Sequence, residues 1–294
     1  IKLNIKSSFC LSKKKEELIF INYLKNNKFS IVYFLDYGFY SLKFLKIILK
    51  NNTNCIIAIA NKELLIAGGS PLISKIKSTK NSLVPLDSEH FSLLNSNNNN
   101  NQISKLFITA SGGPFYFKKK INLNNVSLNQ VLAHPKWTMG INNSIDSSNF
   151  INKILEIYEM SSIYNIDLDK INFVISKEAF VHSIIIYKDN TVSFNCFKNN
   201  MLLALIKPLT TLYNSKQLRI NTKNYFNINN FKIAHFSDNR FKIFKYFKYL
   251  RTFNHSYQIL FMILNNIAQK KYLNGDLKYN NIIDFIMKSI STNK

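Results

Sequence analysis

Residues 55–90 read CIIAIANKELLIAGGSPLISKIKSTKNSLVPLDSEH. The stretch opens on an apolar run at 55–60 and turns polar at Asn61-Lys62-Glu63. Helical periodicity follows over 64–77. A second short apolar run at 82–86 again ends in polar residues, Asp87-Ser88-Glu89-His90. A buried strand, a helix and another buried strand of these lengths make a β/α/β unit with a parallel sheet and helices on its faces. The same alternation precedes it: a helix over 13–27, a strand over 29–35 and an amphipathic helix over 40–50. The fold class expected is therefore α/β. Polar groups just past the C-terminal ends of such strands are where ligands bind.

Downstream, 106–110 reads as a strand running into Ser111-Gly112-Gly113-Pro114, where glycines let the backbone approach a ligand. The asparagine run at 97–101 reads as a loose surface loop. Strands are expected over 172–176, 182–187 and 191–197, with Lys188-Asp189-Asn190 as a hairpin turn. Residues 206–232 read as an irregular polar linker. From 233 the periodicity is helical, over 241–251, 257–272 and 281–291. Four segments result: 1–86, 87–205, a linker at 206–232 and a small helical domain at 233–294.

Between the strands lies His134 to Glu156, HPKWTMGINNSIDSSNFINKILE. Pro135 and Gly140 bracket the only tryptophan, Trp137, in a loop suited to a mobile lid. Asp146, Ser147 and Ser148 offer N-cap oxygens to an apolar-periodic helix. On it Asn152, Lys153 and Glu156 share one end. Ser147 at a helix N-terminus suits an anion such as a phosphate. The plainer reading is an N-cap with a solvated charged face.

Asp87 and Glu89, at i and i+2 beyond a strand, point the same way in extended backbone. Glu156 could close a three-carboxylate site. Hard oxygen ligands without cysteine or a histidine pair favour Mg²⁺ or Mn²⁺. Each group also has a plain structural reading: a solvated turn for the two acids, a tight turn for Ser111-Gly112-Gly113, a strand histidine for His182 and a core anchor for Trp137.

The formal net charge is +23, with 39 Lys and Arg against 16 Asp and Glu, yet only Arg219, Arg240 and Arg251 are arginine. Abundant Asn, Ile, Phe, Tyr and Lys fit a strongly AT-biased coding sequence, so the lysines read as solvated surface. A nucleic-acid partner would be expected to draw on arginine for bidentate contacts. Five of the seven glycines fall in three short motifs, Gly68–Gly69, Gly112–Gly113 and Gly140, while His90, His134, His182 and Trp137 share the central third. A drifting sequence that keeps scarce residues together keeps its chemistry there. Cys10, Cys55 and Cys196 have no metal-ligand spacing and suit a reducing compartment. No run approaches a membrane helix, and no signal peptide is visible. The chain begins at Ile1 rather than Met.

Taken in order, Ala60-Asn61-Lys62-Glu63, Asp87-Ser88-Glu89-His90, Ser111-Gly112-Gly113-Pro114-Phe115, His134-Pro135-x-Trp137-x-Met139-Gly140, Asp146-Ser147, Asn152-Lys153-x-x-Glu156 and His182-Ser183 resemble the 1-deoxy-D-xylulose 5-phosphate reductoisomerase family of the non-mevalonate isoprenoid pathway. The resemblance is strongest over 30–205. Beyond it, Ile263-Leu264-Asn265-Asn266 looks like a worn form of the family's Ala-Ala-Asn-Glu. The resemblance implies a Rossmann-like NADPH-binding domain at 1–86, an α+β catalytic domain at 87–205 and a C-terminal helical domain. It implies metal ligands Asp87, Glu89 and Glu156, holding Mg²⁺ or Mn²⁺. Substrate contacts would come from Lys62, Ser88, Glu89, Ser111, His134, Ser147, Asn152, Lys153 and Glu156. Of the residues near the chemistry, Lys62, Glu89, His134, Glu156 and His182 would be catalytic. NADPH would face Asn61, Glu63, Met139 and Gly140, under a flap made by His134, Trp137 and Met139. His90 would lie in or near the active site. The family's activity, NADPH-dependent reduction coupled to a skeletal rearrangement, is the expected one, in a cytoplasmic homodimer of a bacterium such as an AT-rich endosymbiont, or else in a parasite's plastid.

The sequence departs from the family in three places. No Gly-rich GxTGSxG turn is seen, so the NADPH-binding domain is expected to be partial. The family's His-Pro-Gln-Ser reads Ser176-Lys177-Glu178-Ala179, and Leu202 stands where the family has arginine. Two other readings stay in play: a degenerate, non-catalytic homologue kept as a binding or dimerisation module, and a basic nucleic-acid-binding protein. Membrane and nucleic acid are not expected partners.

Overall fold

A computed structural model describes residues 7–94, 96, 102–136, 139–212 and 232–292. The predicted asparagine loop, Trp137 and residues 213–231 of the predicted linker lie outside them. Helix α1 (Lys14–Asn26), strand β1 (Ile31–Phe34), α2 (Leu42–Asn51), β2 (Ile56–Ile59), α3 (Lys62–Ser78) and β3 (Ser82–Pro85) alternate as expected. The strands pair in the order β1-β2-β3, all parallel. Side chains alternate across a strand. Ile57 and Ile59 join the main core with α1, α2 and α3 residues such as Leu24, Leu45 and Leu64. Ile56 and Ala58 face the other way, packing with Val84, Leu86 and Ala204.

Ala204 belongs to α8 (Leu202–Leu212), so the first seven residues of the predicted irregular linker are helical instead. Leu203 and Leu205 supply apolar surface there, and the Tyr33 hydroxyl donates to the Leu205 carbonyl at 2.8 Å, docking α8 on β1.

Helix α3 kinks at Gly69, whose φ of 52° and ψ of −159° are non-helical. Pro71 two residues on cannot donate to Ala67 in a regular helix. Near this kink the Ile66 carbonyl meets His255 Nε2 at 2.8 Å. A Cβ on Gly69 would stand 2.5 Å from that nitrogen, so only glycine admits the contact.

After the one-turn helix α4 (Ser88–Phe91) comes a second sheet. It contains β4 (Ile103–Ala110), β5 (Ile171–Ile175), β6 (Val181–Tyr187), β7 (Val192–Cys196) and β8 (Ala234–His235), ordered β7-β6-β4-β5-β8. Only β4 and β5 are parallel; the rest is antiparallel. Between β4 and β5 run α5 (Leu128–Leu132), α6 (Ile141–Asn149) and α7 (Ile151–Tyr164). The C-terminal helices are α9 (Ile243–Leu250), α10 (His255–Leu273) and α11 (Ile282–Ser291). Among the described residues, no helix is long and apolar enough to cross a membrane.

Helix α7 is the axis of the molecule. Twelve of its 14 residues are buried, including Lys153, Glu156 and Glu159. A helix covered on every side contacts neighbours all round its axis. Here α3, β4, β5 and α9 supply them. Charges buried that deeply must be paired.

Candidate active site at the strand ends

Two sequence readings change with the structure. Asp146, Ser147 and Ser148 do not cap the α7 helix. They lie in α6, and the break falls at Phe150, left-handed with φ of 66°. That conformation costs a non-glycine residue about 1–2 kcal/mol. It is offset by burial: Phe150 is 1 % exposed and packs on Phe173, Phe236 and Phe241. The α7 N-terminus is instead met by Asn149 Oδ1, which accepts from the Ile151 amide at 2.9 Å. Ser147 therefore stands in the last turn of one helix, not at the start of the next.

The second change concerns Asp87 and Glu89. They are not on extended backbone: Asp87 is the N-cap of α4 and its Oδ1 accepts from the Glu89 amide at 3.3 Å. The helical turn carries Glu89 onto the α7 side, where Lys153 Nζ donates to Glu89 Oε1 and Glu156 Oε2, each at 2.7 Å. Lys62, from the first turn of α3, pairs with Asp87. Asn152 donates to the other Glu156 oxygen. Nor is Glu156 solvated, as the plain charged-face reading had it; it is 1 % exposed.

One cavity of about 240 Å³ collects these groups. It is lined by Asp87, Ser88 and Glu89 from the β3 end, by Ser111, Gly112 and Gly113 from the β4 end, and by Ser147, Asn152, Lys153 and Glu156 from α6 and α7. Lys62, His134, Met139 and His182 complete the wall, so every residue expected to be catalytic or to touch substrate reaches one space. His134 Nε2 lies 3.3 Å from the Ser111 hydroxyl. His182 stacks on Phe197 with ring centroids 3.8 Å apart. Gly112 and Gly113 have φ of 92° and 57°, and a Cβ on Gly113 would meet the Ser147 carbonyl at 2.8 Å. The β4 turn and the end of α6 thus touch through a position that admits no side chain.

A neighbouring cleft of about 530 Å³ is lined by Asn61, Glu63 and Gly140, three of the residues expected to face NADPH; the fourth, Met139, lies on the first cavity. The two share Ala60, Lys62 and Asn143. Leu35, Asp36 and Tyr37 after β1 also line the cleft, and the next residue, Gly38 (φ 83°), accepts from the Asn61 side chain at 2.6 Å through its carbonyl. That glycine, four residues past the end of β1, was the signal from which the turn could have been found.

Electrostatics follow from burial. Burial penalises the Asp87 charge, yet Lys62 and His90 hold its carboxyl well below the usual range. Burial pushes Glu156 up to about 8, helped by Glu89 and Asp87 and opposed by Lys153. Burial opposes the charge on Lys153 and Lys62 too, but the surrounding carboxylates outweigh it and raise both. His134 is pushed down to about 4 by burial and by Lys153, which makes it a neutral base. Burial likewise lowers His182.

Beneath the cavity His90, expected in or near the active site, faces Glu159, which the sequence reading did not single out. His90 is fully buried, with Nδ1 3.3 Å from Asp87 Oδ1 and Nε2 3.6 Å from Glu159 Oε2. Burial disfavours its charge, but Glu159 and Asp87 raise it to about 9. Glu159 follows Glu156 by three residues on α7, a spacing that could have marked it.

The carboxylate oxygens of Asp87, Glu89 and Glu156 lie within 4.8 Å of one another, as do the ligand atoms of Asp87, His90 and Glu159. The first set is all hard oxygen, opens on the cavity and fits Mg²⁺ or Mn²⁺. In the second set His90 already faces two carboxylates and a backbone carbonyl, that of Glu156 at 3.1 Å from Nε2.

Fold and site together define an α/β protein with a carboxylate- and lysine-lined pocket where strand ends meet a buried helix. Residues 83–164 match the family model of the 1-deoxy-D-xylulose 5-phosphate reductoisomerase C-terminal domain. The reductoisomerase of Pelagibacter ubique is 30 % identical over 240 residues, covering 80 % of this chain and 61 % of that protein. That of Wolbachia from Drosophila simulans is 42 % identical over 135 residues, 46 % of this chain and 35 % of the relative. A DOX-P reductoisomerase in complex with NADPH, fosmidomycin and magnesium superposes with a TM-score of 0.78 at 23 % identity, over 92 % of this chain and 69 % of that one. The Zymomonas mobilis enzyme in complex with NADPH gives 0.77 at 20 %, over 93 % and 70 %. Over about four fifths of its length the chain is similar to 1-deoxy-D-xylulose 5-phosphate reductoisomerases. It spans about three fifths of the length of the Pelagibacter relative.

Proposed function

We propose that this chain is a reductoisomerase that converts 1-deoxy-D-xylulose 5-phosphate to 2-C-methyl-D-erythritol 4-phosphate with NADPH. One observation carries the reading: three carboxylates from α4 and α7 converge within 4.8 Å, in a cavity that also holds Lys62, Lys153 and the Ser111 and Ser147 hydroxyls. Asp87, Glu89 and Glu156 would hold Mg²⁺ or Mn²⁺, which as a Lewis acid polarises substrate oxygens. Asn61, Glu63 and Gly140 would face NADPH, whose nicotinamide supplies hydride.

The chain's own groups do the rest. Ser111, Ser147, Asn152 and Lys153 offer hydroxyls, an amide and an ammonium to the phosphate. That anchors the substrate remotely from the reacting carbons. Lys62 stays cationic beside Asp87 and stabilises negative charge that develops on substrate oxygen. His134, neutral at physiological pH, can accept a proton from a substrate hydroxyl. His134 and Met139 line the cavity beside these groups.

A degenerate homologue kept only for binding does not suit this pocket. Buried carboxylates and lysines cost stability that a scaffold has no need to spend. The further setting we assign is a homodimer in a bacterial cytoplasm. The exposed Val192 and Phe194 on the outer strand β7 support a second copy, and the bacterial relatives support the compartment. The test is NADPH oxidation by the purified chain with 1-deoxy-D-xylulose 5-phosphate and Mn²⁺. Turnover suppressed by fosmidomycin is the expected result; no turnover at any protein concentration contradicts the proposal.

A further inference from the structure

Lys153 lies where a metal would have to be. Its ammonium is 2.7 Å from Glu89 Oε1 and 2.7 Å from Glu156 Oε2, two of the three carboxylates that converge within 4.8 Å. All three side chains are buried, at 10 %, 12 % and 2 % exposure. Little water reaches that gap to screen two cations from each other, and repulsion at such distances in a dry site is strong. A divalent ion and the Lys153 ammonium cannot both sit between Glu89 and Glu156.

The ammonium is the group that can yield: it ends a flexible four-carbon stem, whereas Glu89 and Glu156 are themselves in the candidate ligand set. The lysine has somewhere to go, because the wall it shares also carries Ser111, Ser147 and Asn152, which suit an anion.

We propose that Lys153 is a resident counter-ion of the metal seat, released when an anionic phosphate group enters the cavity, so that metal and phosphate bind with positive coupling. This rests on the metal reading above and adds an order to it: the phosphate draws the ammonium off Glu89 and Glu156, and the gap opens to the cation. By reciprocity the metal raises phosphate affinity by the same factor.

The experiment measures Mn²⁺ affinity by the electron paramagnetic resonance of free Mn²⁺, with and without methylphosphonate. For the unaltered chain, methylphosphonate should tighten Mn²⁺ binding by about tenfold, a common size for such coupling. Lys153→Met, which keeps the chain length and drops the charge, should bind Mn²⁺ about tenfold more tightly without methylphosphonate and lose the coupling. Circular dichroism confirms that the variant is folded; should it not fold, the methylphosphonate effect on the unaltered chain decides alone. Mn²⁺ binding that methylphosphonate leaves unchanged overturns the proposal, as does a folded variant with unchanged or weaker Mn²⁺ affinity. In both cases the metal reading survives if Glu156→Gln abolishes the binding. No Mn²⁺ binding under any condition overturns both.

Discussion

The side-chain amide of Gln269 donates to Asp146 Oδ1 at 2.6 Å, tying the C-terminal helix α10 to the helix that carries Ser147. Asn265 donates to both Asp146 oxygens at 3.0 Å. The Tyr37 hydroxyl, on the cofactor-side turn, reaches Gln269 Oε1 at 3.3 Å. Three parts of the chain therefore meet at one buried carboxyl. We propose that this junction sets where Ser147 stands.

Asp146 should make stability depend on pH. Burial raises its carboxyl to about 7, against the hydrogen bonds of Asn265 and Gln269, which favour the charge. An acid whose folded value lies above its unfolded value of about 3.9 binds more protons when folded. Its contribution is full below pH 4 and is lost as pH rises to 7, at up to about 1.4 kcal/mol per pH unit. Asp146→Asn should flatten that part of the denaturation profile between pH 5 and 7. The buried Asn265 Oδ1, which has no hydrogen-bond partner, can turn to accept from the new amide. Parallel profiles for the two proteins would contradict this.

Glu156→Gln should abolish turnover and weaken Mn²⁺ binding by at least about tenfold, while Lys153 keeps its bond to Glu89. The swap is isosteric and removes a charge that burial already disfavours, so chemical denaturation should show little loss of stability. Unchanged activity would remove Glu156 from the metal set.

Glu159→Ala should cost about 3–5 kcal/mol, because it leaves His90 buried beside one carboxylate fewer. His90 is raised to about 9 over an ordinary 6.5. The stability from its protonation is therefore full below pH 6.5 and lost as pH climbs through 9. Burial raises Glu159 itself to about 7, so both partners are charged between 7 and 9; in urea denaturation at pH 8 and pH 10 the variant's deficit should be larger at pH 8. A deficit independent of pH would sink the ion-pair account.

Gly113→Ala should destabilise by about 1–3 kcal/mol through left-handed strain alone. The methyl would also press the Ser147 carbonyl from 2.8 Å. Fosmidomycin affinity should fall with it; unaltered affinity and stability would show that the close approach does not matter.

Strands and helices were legible wherever burial imposes a period, as in 55–90 and along α7. What escaped has physical causes. Phe150 in a left-handed conformation breaks a pattern that sequence reads as one helix, because aromatic packing outweighs local preference. The short turn at Asp87 satisfies its cap with its own side chain, which an extended reading cannot foresee. The pocket's acids and lysines were visible through their motifs, but their mutual pairing was not, since Lys62, Glu89 and Lys153 come from three elements. Asn265 and Gln269 sit among the polar positions of α10 and look solvated until α6 is placed against them.

The most direct test of the account is calorimetric titration of fosmidomycin into the chain with Mn²⁺ and with the metal removed by chelation. It needs the metal set and the anion pole at once and does not need NADPH. Saturable binding, one molecule per chain, that vanishes without Mn²⁺ is the predicted result. No binding with Mn²⁺ present, or the same affinity without it, would contradict the assignment of Asp87, Glu89 and Glu156 as a metal site.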